Sequence, residues 1–361
     1  MQSSLTHQKF SAEMKAVDIF AGCGGLSLGL MQAGIDVSLA VDHWKPSINV
    51  YNLNFKHPAI DQDLSNIEES VELISKYDFE ILAGGPPCQD FSSAGKRDLN
   101  GGRADLTYSY ADIVSELKPK FFIMENVEQI RKSHILPEVI DQLAEAGYGM
   151  TAVILDASYC GAPQARKRFF LIGHLESSHN FLLGNLTNQL SAKPMTMRDY
   201  FSDGLGTDYY YRHPRNYNRR GIYGLDEPSA TIRGVNRPVP PGYELHPNDP
   251  EGISLKDVRP LTTEERAQVQ TFPSDFKWIG GKTDKEQMIG NAVPVALGRF
   301  VGTAIQEYIA NGPITLTETL PFDLEDYVML PLRSLDKGPD SFIPHQIKQF
   351  KRQNSTRKKS A

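Results

Sequence analysis

The segment ILAGGPPCQDFSSAGKR, residues 81–97, mounts Cys88 behind an apolar run and the stretch Gly84-Gly85-Pro86-Pro87. The paired prolines fix φ and offer no amide donors, so the loop carrying the thiol is pre-shaped. An apolar run ending this way reads as a strand, and open α/β sheets place ligands at the carboxyl ends of their strands. A lone cysteine is more often a small buried hydrophobe. Here Ser92, Ser93, Lys96 and Arg97 follow closely, and polar, basic surroundings lower a thiol pKa from its usual ~8.5. FFIMENVEQI ends a second apolar run with Glu125 and Asn126. A carboxylate there is costly unless it has a partner or a task; the plain alternative is a helix-capping acid. APQARKRFFLIG sets Arg166 and Arg168 two apart, on one face of an extended segment, or else as a solvated pair flanking an edge strand. Thiolate, acid and guanidinium at one sheet edge suit attack on a pyrimidine. Carbon 6 becomes electrophilic when N3 and O2 are hydrogen-bonded. A thiolate adding there makes carbon 5 a nucleophile for the methyl group of a sulfonium, which is covalent catalysis assisted by a general acid.

DIFAGCGGLSLG, residues 18–29, is a strand, a glycine turn and a helix start. It meets neither the P-loop pattern nor the G-x-G-x-x-G spacing. Asp42 ends the next apolar run, at about the distance where a carboxylate meets ribose hydroxyls in such folds. An adenosine without a pyrophosphate fits this best, and S-adenosylmethionine is its commonest form. A tight turn and a solvated acid are the bland alternative.

The elements that must position these groups alternate. Strands are expected at 16–22, 37–42, 79–85, 120–127, 150–157 and 167–174, with helices near 25–34, 45–53, 66–76, 107–118 and 133–147. Such alternation implies a doubly wound, mostly parallel α/β sheet, its last two strands pairing as an antiparallel hairpin at the sheet edge. Beyond about residue 175 the periodicity weakens. Residues 193–222 hold Lys193, Arg198, Arg212, Arg215, Arg219 and Arg220 against Asp199, Asp203 and Asp208, and 228–250 is rich in Pro and Gly. Thr262 or Thr263 starts a Glu-rich helix, and a last helix is expected over 293–310. The chain has 361 residues, 40% hydrophobic content and net charge −6. This suits a large domain plus a smaller one and argues against a protein that merely coats nucleic acid, without excluding a local basic face. Cys23, Cys88 and Cys160 form neither a disulfide framework nor a C-x-x-C metal pair, which suits a reducing cytosol. No run approaches the roughly 18 apolar residues of a membrane span, and the amino terminus does not read as a secretory signal.

Taken in order, DIFAGCGGLSLG, GGPPCQDFS, MENV, PQARKRFFLIG, RPLTTEERAQVQTFP and QMIGNAVPVALG resemble the DNA cytosine-5 methyltransferase family over residues 16 to about 305. The resemblance implies that Cys88 is the nucleophile, that Glu125 holds N3 and the amino group, that Arg166 holds O2 with Arg168 in the same block, and that Asn126 orders the loop. Phe20, Gly22, Gly24, Asp42, Asp63, Leu64, Leu106 and Asn291 match cofactor-contacting positions. His43 follows Asp42 where some members have an aromatic, so neither His43 nor Trp44 is assigned to the adenine. The implied organisation is a catalytic and cofactor-binding domain from 1–175, a target recognition domain from 176–258, a return to the catalytic domain over 259–311, and a basic carboxyl-terminal extension, 312–361. SATIRGVNRPVPPGY, residues 229–243, is a stiff segment that could approach DNA.

The expected protein is a monomeric, cytoplasmic methylase of double-stranded DNA from a restriction–modification system, using S-adenosyl-L-methionine and no metal. The tRNA-methylating branch carries a Cys-Phe-Thr tripeptide, and this chain has no cysteine after Cys160. A catalytically dead DNA-binding regulator would not need Cys88, Glu125 and Arg166 together. A thiol redox protein would need a resolving cysteine nearby.

Overall fold

The computed structural model describes residues 14–87, 106–214 and 219–315. In chain order the elements are β1 (Lys15–Ile19), α1 (Gly25–Gln32), β2 (Asp36–Asp42), α2 (Lys45–Asn54), β3 (Ala59–Asp61), α3 (Ile67–Ile74), β4 (Ile81–Gly84), α4 (Leu106–Leu117), β5 (Phe121–Val127), α5 (Ile135–Glu145), β6 (Tyr148–Asp156), β7 (Gln164–Ala165) and β8 (Lys167–Leu175). There follow α6 (Leu183–Thr187), α7 (Met197–Phe201), β9 (Tyr209–Tyr211), β10 (Ile222–Gly224), β11 (Ser229–Ala230), β12 (Arg259–Pro260), α8 (Thr263–Val269), α9 (Lys282–Asn291) and α10 (Val295–Asn311).

Among the described residues the main sheet runs β3-β2-β1-β4-β5-β8-β6. All neighbours are parallel except β8, which is antiparallel to both β5 and β6. The expected hairpin of the last two long strands forms, but β8 inserts beside β5, leaving β6 at the edge. The order reverses at β1 and β4, the switch point where such sheets bind ligands.

The strands alternate between two apolar layers, as a pleat with period two requires. Ile81, Ala83, Phe121, Ile123, Phe170 and Ile172 face α1, α6 and α10. Leu82, Phe122, Met124, Phe169 and Leu171 face α3, α4 and α5. Each fully buried phenylalanine contributes roughly 1.5–3 kcal/mol, enough in aggregate to carry polar groups at the strand ends.

Lys282–Asn311 does reach the length and composition of a membrane span, against the reading of the sequence. It is interrupted between α9 and α10, and its most apolar 18-residue stretch is 72% buried inside the protein. It is a core element.

A smaller sheet, β10-β9-β12, stands apart from the main one. Met197, Leu205, Tyr210, Leu225 and Ile232 form one cluster with Leu261, Phe272 and Ile289. α6 belongs to the main core, where Leu182, Leu183 and Leu186 pack with Leu297 and Val301 of α10. α8 begins at Thr262 through a reciprocal cap with Glu265.

Candidate active site

Glu125 and Asn126 end the apolar run of β5. Glu125 lies on the face of Phe121 and Ile123, and Arg168 shares that face of β8 with Phe170 and Ile172. Glu125 pairs across the ladder with Phe170, which makes Arg168 its diagonal neighbour, within reach of a long side chain. Arg168 Nε lies 2.9 Å from Glu125 Oε1. Burial raises the Glu125 pKa more than Arg168 and Arg166 lower it, so the carboxyl stands above its ordinary value. Burial likewise lowers the Arg168 pKa, with Glu125 opposing.

Asn126 turns to the other side. Its Nδ2 donates to the Pro86 carbonyl at 3.0 Å, and its Oδ1 accepts from the Val127 amide at 2.8 Å. A β-carbon at Gly85 would stand 3.1 Å from Glu125 Oε2. The Gly-Gly-Pro-Pro loop is therefore held against the acid, and the described chain stops at Pro87. Cys88, with Ser92, Ser93, Lys96 and Arg97, lies outside the described residues. Cys23 and Cys160 are buried, and burial pushes the Cys23 thiol up to about 12 and the Cys160 thiol well above its usual value. Neither is a competent nucleophile near neutral pH.

Arg166 precedes β8 and is buried, 2% exposed. Its Nη1 donates to the Ile232 carbonyl at 2.9 Å, and its Nη2 to the Gly290 and Ala292 carbonyls at 3.1 and 3.0 Å. Arg168, rather than Arg166, meets the acid directly. Nothing local in PQARKR distinguishes the two, because Arg166's acceptors lie 66 to 126 residues away.

At the switch point, Gly22 and Gly24 carry φ of +56° and +92°, a turn that glycine makes without strain. Asp42 Oδ2 accepts the Gly22 amide and Oδ1 the Trp44 amide, each at 2.8 Å. The Ser47 hydroxyl also lies 3.3 Å from Oδ1; a carboxylate has about four acceptor sites, so these groups fix Asp42 and leave a position on Oδ2 for a ribose hydroxyl. The space beside Gly22 is open, with no atom within 4 Å of a β-carbon built there. Phe20 is half-buried at φ +57°, Leu64 is buried after β3, and Asp63 is exposed with Oδ1 accepting from Ser65. This set of an oriented carboxylate, a glycine turn and apolar walls fits an adenosyl group. Leu106 opens α4 and is half-buried, whereas Asn291 ends α9 exposed, its Oδ1 accepting from Gln287 at 3.0 Å. The block that follows Asn291 reaches the same turn: a β-carbon at Gly25 would stand 2.2 Å from the Val293 carbonyl. His43 is exposed and meets Asp61 at 3.0 Å, while Trp44 packs in the cluster of Cys23 and Phe272.

The basic stretch is partly spent on structure. Arg198 bridges Asp208 at 2.9 Å and Asp226 at 2.5 Å, Arg212 donates to the Thr231 carbonyl, and Arg220 pairs with Glu227 while lying over Tyr223. Lys193 and Arg219 are exposed, and Arg215 lies outside the described residues.

The profile of the family described as C-5 cytosine-specific DNA methylase matches residues 14–307. The chain is 60% identical over 292 residues to the type II methyltransferase M.HindV of Haemophilus influenzae, covering 81% of this chain and 96% of that one. It is 52% identical over 308 residues to the type II methyltransferase M.HgiDI of Herpetosiphon aurantiacus, covering 85% and 99%. Among solved structures, the S. pombe Dnmt2 methyltransferase superposes with a TM-score of 0.63 at 17% identity, over 83% of this chain and all of that one, a likeness of fold.

Proposed function

Because the chain belongs to the C-5 cytosine-specific DNA methylase family, we propose that it methylates carbon 5 of a cytosine flipped out of a specific duplex sequence, as access to a stacked base requires. S-adenosyl-L-methionine supplies an electrophilic methyl group on its sulfonium. The glycine turn would admit the cofactor's backbone-side approach, Asp42 its ribose hydroxyls, and Phe20, Asp63, Leu64, Leu106 and Asn291 the remaining contacts.

The thiolate of Cys88 bonds to carbon 6 while Glu125 donates a hydrogen bond, then a proton, to N3. The ring electrons move to carbon 5, which would take the methyl group as its bond to the sulfonium sulfur breaks, leaving S-adenosylhomocysteine as a neutral thioether. Loss of the carbon 5 proton to solvent expels the thiolate and restores the carbon 5–carbon 6 double bond, and N3 returns its proton to Glu125. Arg168, beside the acid, is better placed than Arg166 for O2, since Arg166's terminal nitrogens already serve three carbonyls. Asn126 ties the nucleophile's loop to the acid's strand.

The observation that carries this reading is the position of Glu125, buried, raised in pKa, and set between Arg168 and the loop leading to Cys88. Target recognition belongs to the region within 176–258, and the biological role to protection of DNA in a restriction–modification system, in the bacterial cytoplasm where that DNA lies. Likeness to type II methyltransferases supports that role. Bisulfite sequencing of DNA from bacteria expressing the chain tests the reaction: protected cytosines within one recurring sequence are expected. Methylation of adenine, of the cytosine amino group or of RNA alone would overturn it.

A further inference from the structure

We infer that Gln164 and Arg166 are positioning residues that join the 229–237 segment to the 289–292 block, so that cofactor binding and DNA binding strengthen one another. The inference rests on the proposed function, in which the segment meets DNA and the block borders the cofactor turn.

The join is dense and buried. β11 pairs in parallel with β7, Ser229 against Gln164 and Ala230 against Ala165. Gln164 is fully buried, and its Oε1 accepts the Ile232 amide at 2.8 Å. Its Nε2 donates to Gln270 Oε1 at 2.8 Å, and Gln270 Nε2 donates to the Ile289 and Ala292 carbonyls at 2.6 and 3.2 Å. Arg166 repeats the span with one guanidinium, from the Ile232 carbonyl to those of Gly290 and Ala292. The two backbones touch: a β-carbon at Gly290 would stand 2.2 Å from the Gly234 nitrogen. On its far side the block meets the cofactor turn, with Val293 against Gly25 and the Met288 carbonyl 3.8 Å from Cys23 Sγ. Buried amide and guanidinium groups have few alternative partners, so the segment and the block move together or lose hydrogen bonds together. A ligand that orders one orders the other, and such coupling is reciprocal.

The test measures the dissociation constant of a duplex carrying the methylated site, with and without S-adenosylhomocysteine, for the wild type, Gln164→Leu and Arg166→Lys. Cofactor product should tighten wild-type DNA binding by roughly tenfold, within the usual range of coupling. The variants should reduce that ratio below about twofold while binding S-adenosylhomocysteine alone within about threefold of wild type. Wild-type coupling retained in folded variants, or a ratio near one in the wild type, overturns the inference. Should the variants not fold, amide hydrogen exchange of the wild type decides: S-adenosylhomocysteine should slow exchange at Ile232, and unchanged exchange overturns it. A wild type that binds neither ligand refutes the proposed function itself.

Discussion

Arg168 and Glu125 meet at 2.9 Å across the diagonal of the β5–β8 ladder, both side chains nearly out of solvent. The pair exists because β8 runs antiparallel beside β5. Removing one partner of a buried pair leaves an uncompensated charge, typically costing about 3–5 kcal/mol. Glu125 has an escape that Arg168 lacks, since it can bind a proton.

Arg168→Met should therefore destabilise the protein in a pH-dependent way. Arg168 lowers the Glu125 pKa, so its loss raises that pKa further. With the folded pKa above the unfolded one, native Glu125 holds its proton where the unfolded chain has released it, and stability falls as pH rises. The melting temperature of the variant should approach wild type in mild acid and separate from it toward alkaline pH. A constant gap would show that the pair carries no charge coupling.

Glu125→Gln keeps size and one hydrogen bond but cannot deliver a proton to N3. Turnover should fall by ~10²–10⁴, the range of general acid catalysis, with cofactor affinity nearly unchanged. DNA holding 5-fluorocytosine at the target should trap the wild type covalently, because fluorine cannot leave as a proton does. The variant should trap far more slowly. Equal trapping together with normal turnover would leave Glu125 a structural cap.

Much of this site is legible in the sequence because chemistry and strand ends coincide. Apolar runs closed by Gly-Gly-Pro-Pro, by Glu125-Asn126 and by Asp42 mark carboxyl ends of β4, β5 and β2, and the capping pattern at Thr262 marks α8. β3 has only three residues, and α9, KTDKEQMIGN, has no apolar stripe, so neither period announces itself. Arg166 and Arg168 read alike until the fold brings Ile232 and Gly290 to the first and Glu125 to the second. Contacts of that sequence separation leave no local signature.

Asp18 offers a second pH signature. Its carboxyl is buried and its pKa is raised to about 7, chiefly by burial, with the Ser27 hydroxyl at 2.5 Å opposing and Asp42 and Glu125 adding to the rise. Between its unfolded pKa of about 3.9 and the folded value, the native state holds a proton that the unfolded chain lacks. Stability from this group is full below that window and is lost across it, at up to about 1.4 kcal/mol per pH unit. Asp18→Asn can still accept from Ser27 and should flatten the dependence of unfolding free energy on pH between 4 and 7. An unchanged slope would assign the loss of stability with rising pH to other groups.

Recognition should be transferable in a piece smaller than 176–258. α6 packs in the main core, and residues 229–237 are stitched to the 289–292 block. Exchanging residues 194–228 for those of a relative with another target spares both. The chimera should methylate the relative's sequence, as read by bisulfite sequencing. Retention of the original target would place base readout outside this stretch.

The thiol prediction separates three cysteines by environment. Cys23 and Cys160 are buried, their thiols held protonated by desolvation, so a water-soluble alkylating reagent should pass them by in the native protein. Cys88 follows two prolines and precedes Lys96 and Arg97, which favours a thiolate. Iodoacetamide at neutral pH should modify Cys88 first, and methyl transfer should fall in step with that modification. Bound DNA should slow the labelling, because the flipped cytosine would cover the sulfur. Cys88→Ser should lose methyl transfer, since a hydroxyl supplies almost no alkoxide near neutral pH, yet it should still bind DNA, because Glu125 and Arg168 are unaltered. Turnover of the serine variant within tenfold of wild type, or inactivation by iodoacetamide that tracks Cys23 or Cys160, would remove Cys88 from the mechanism.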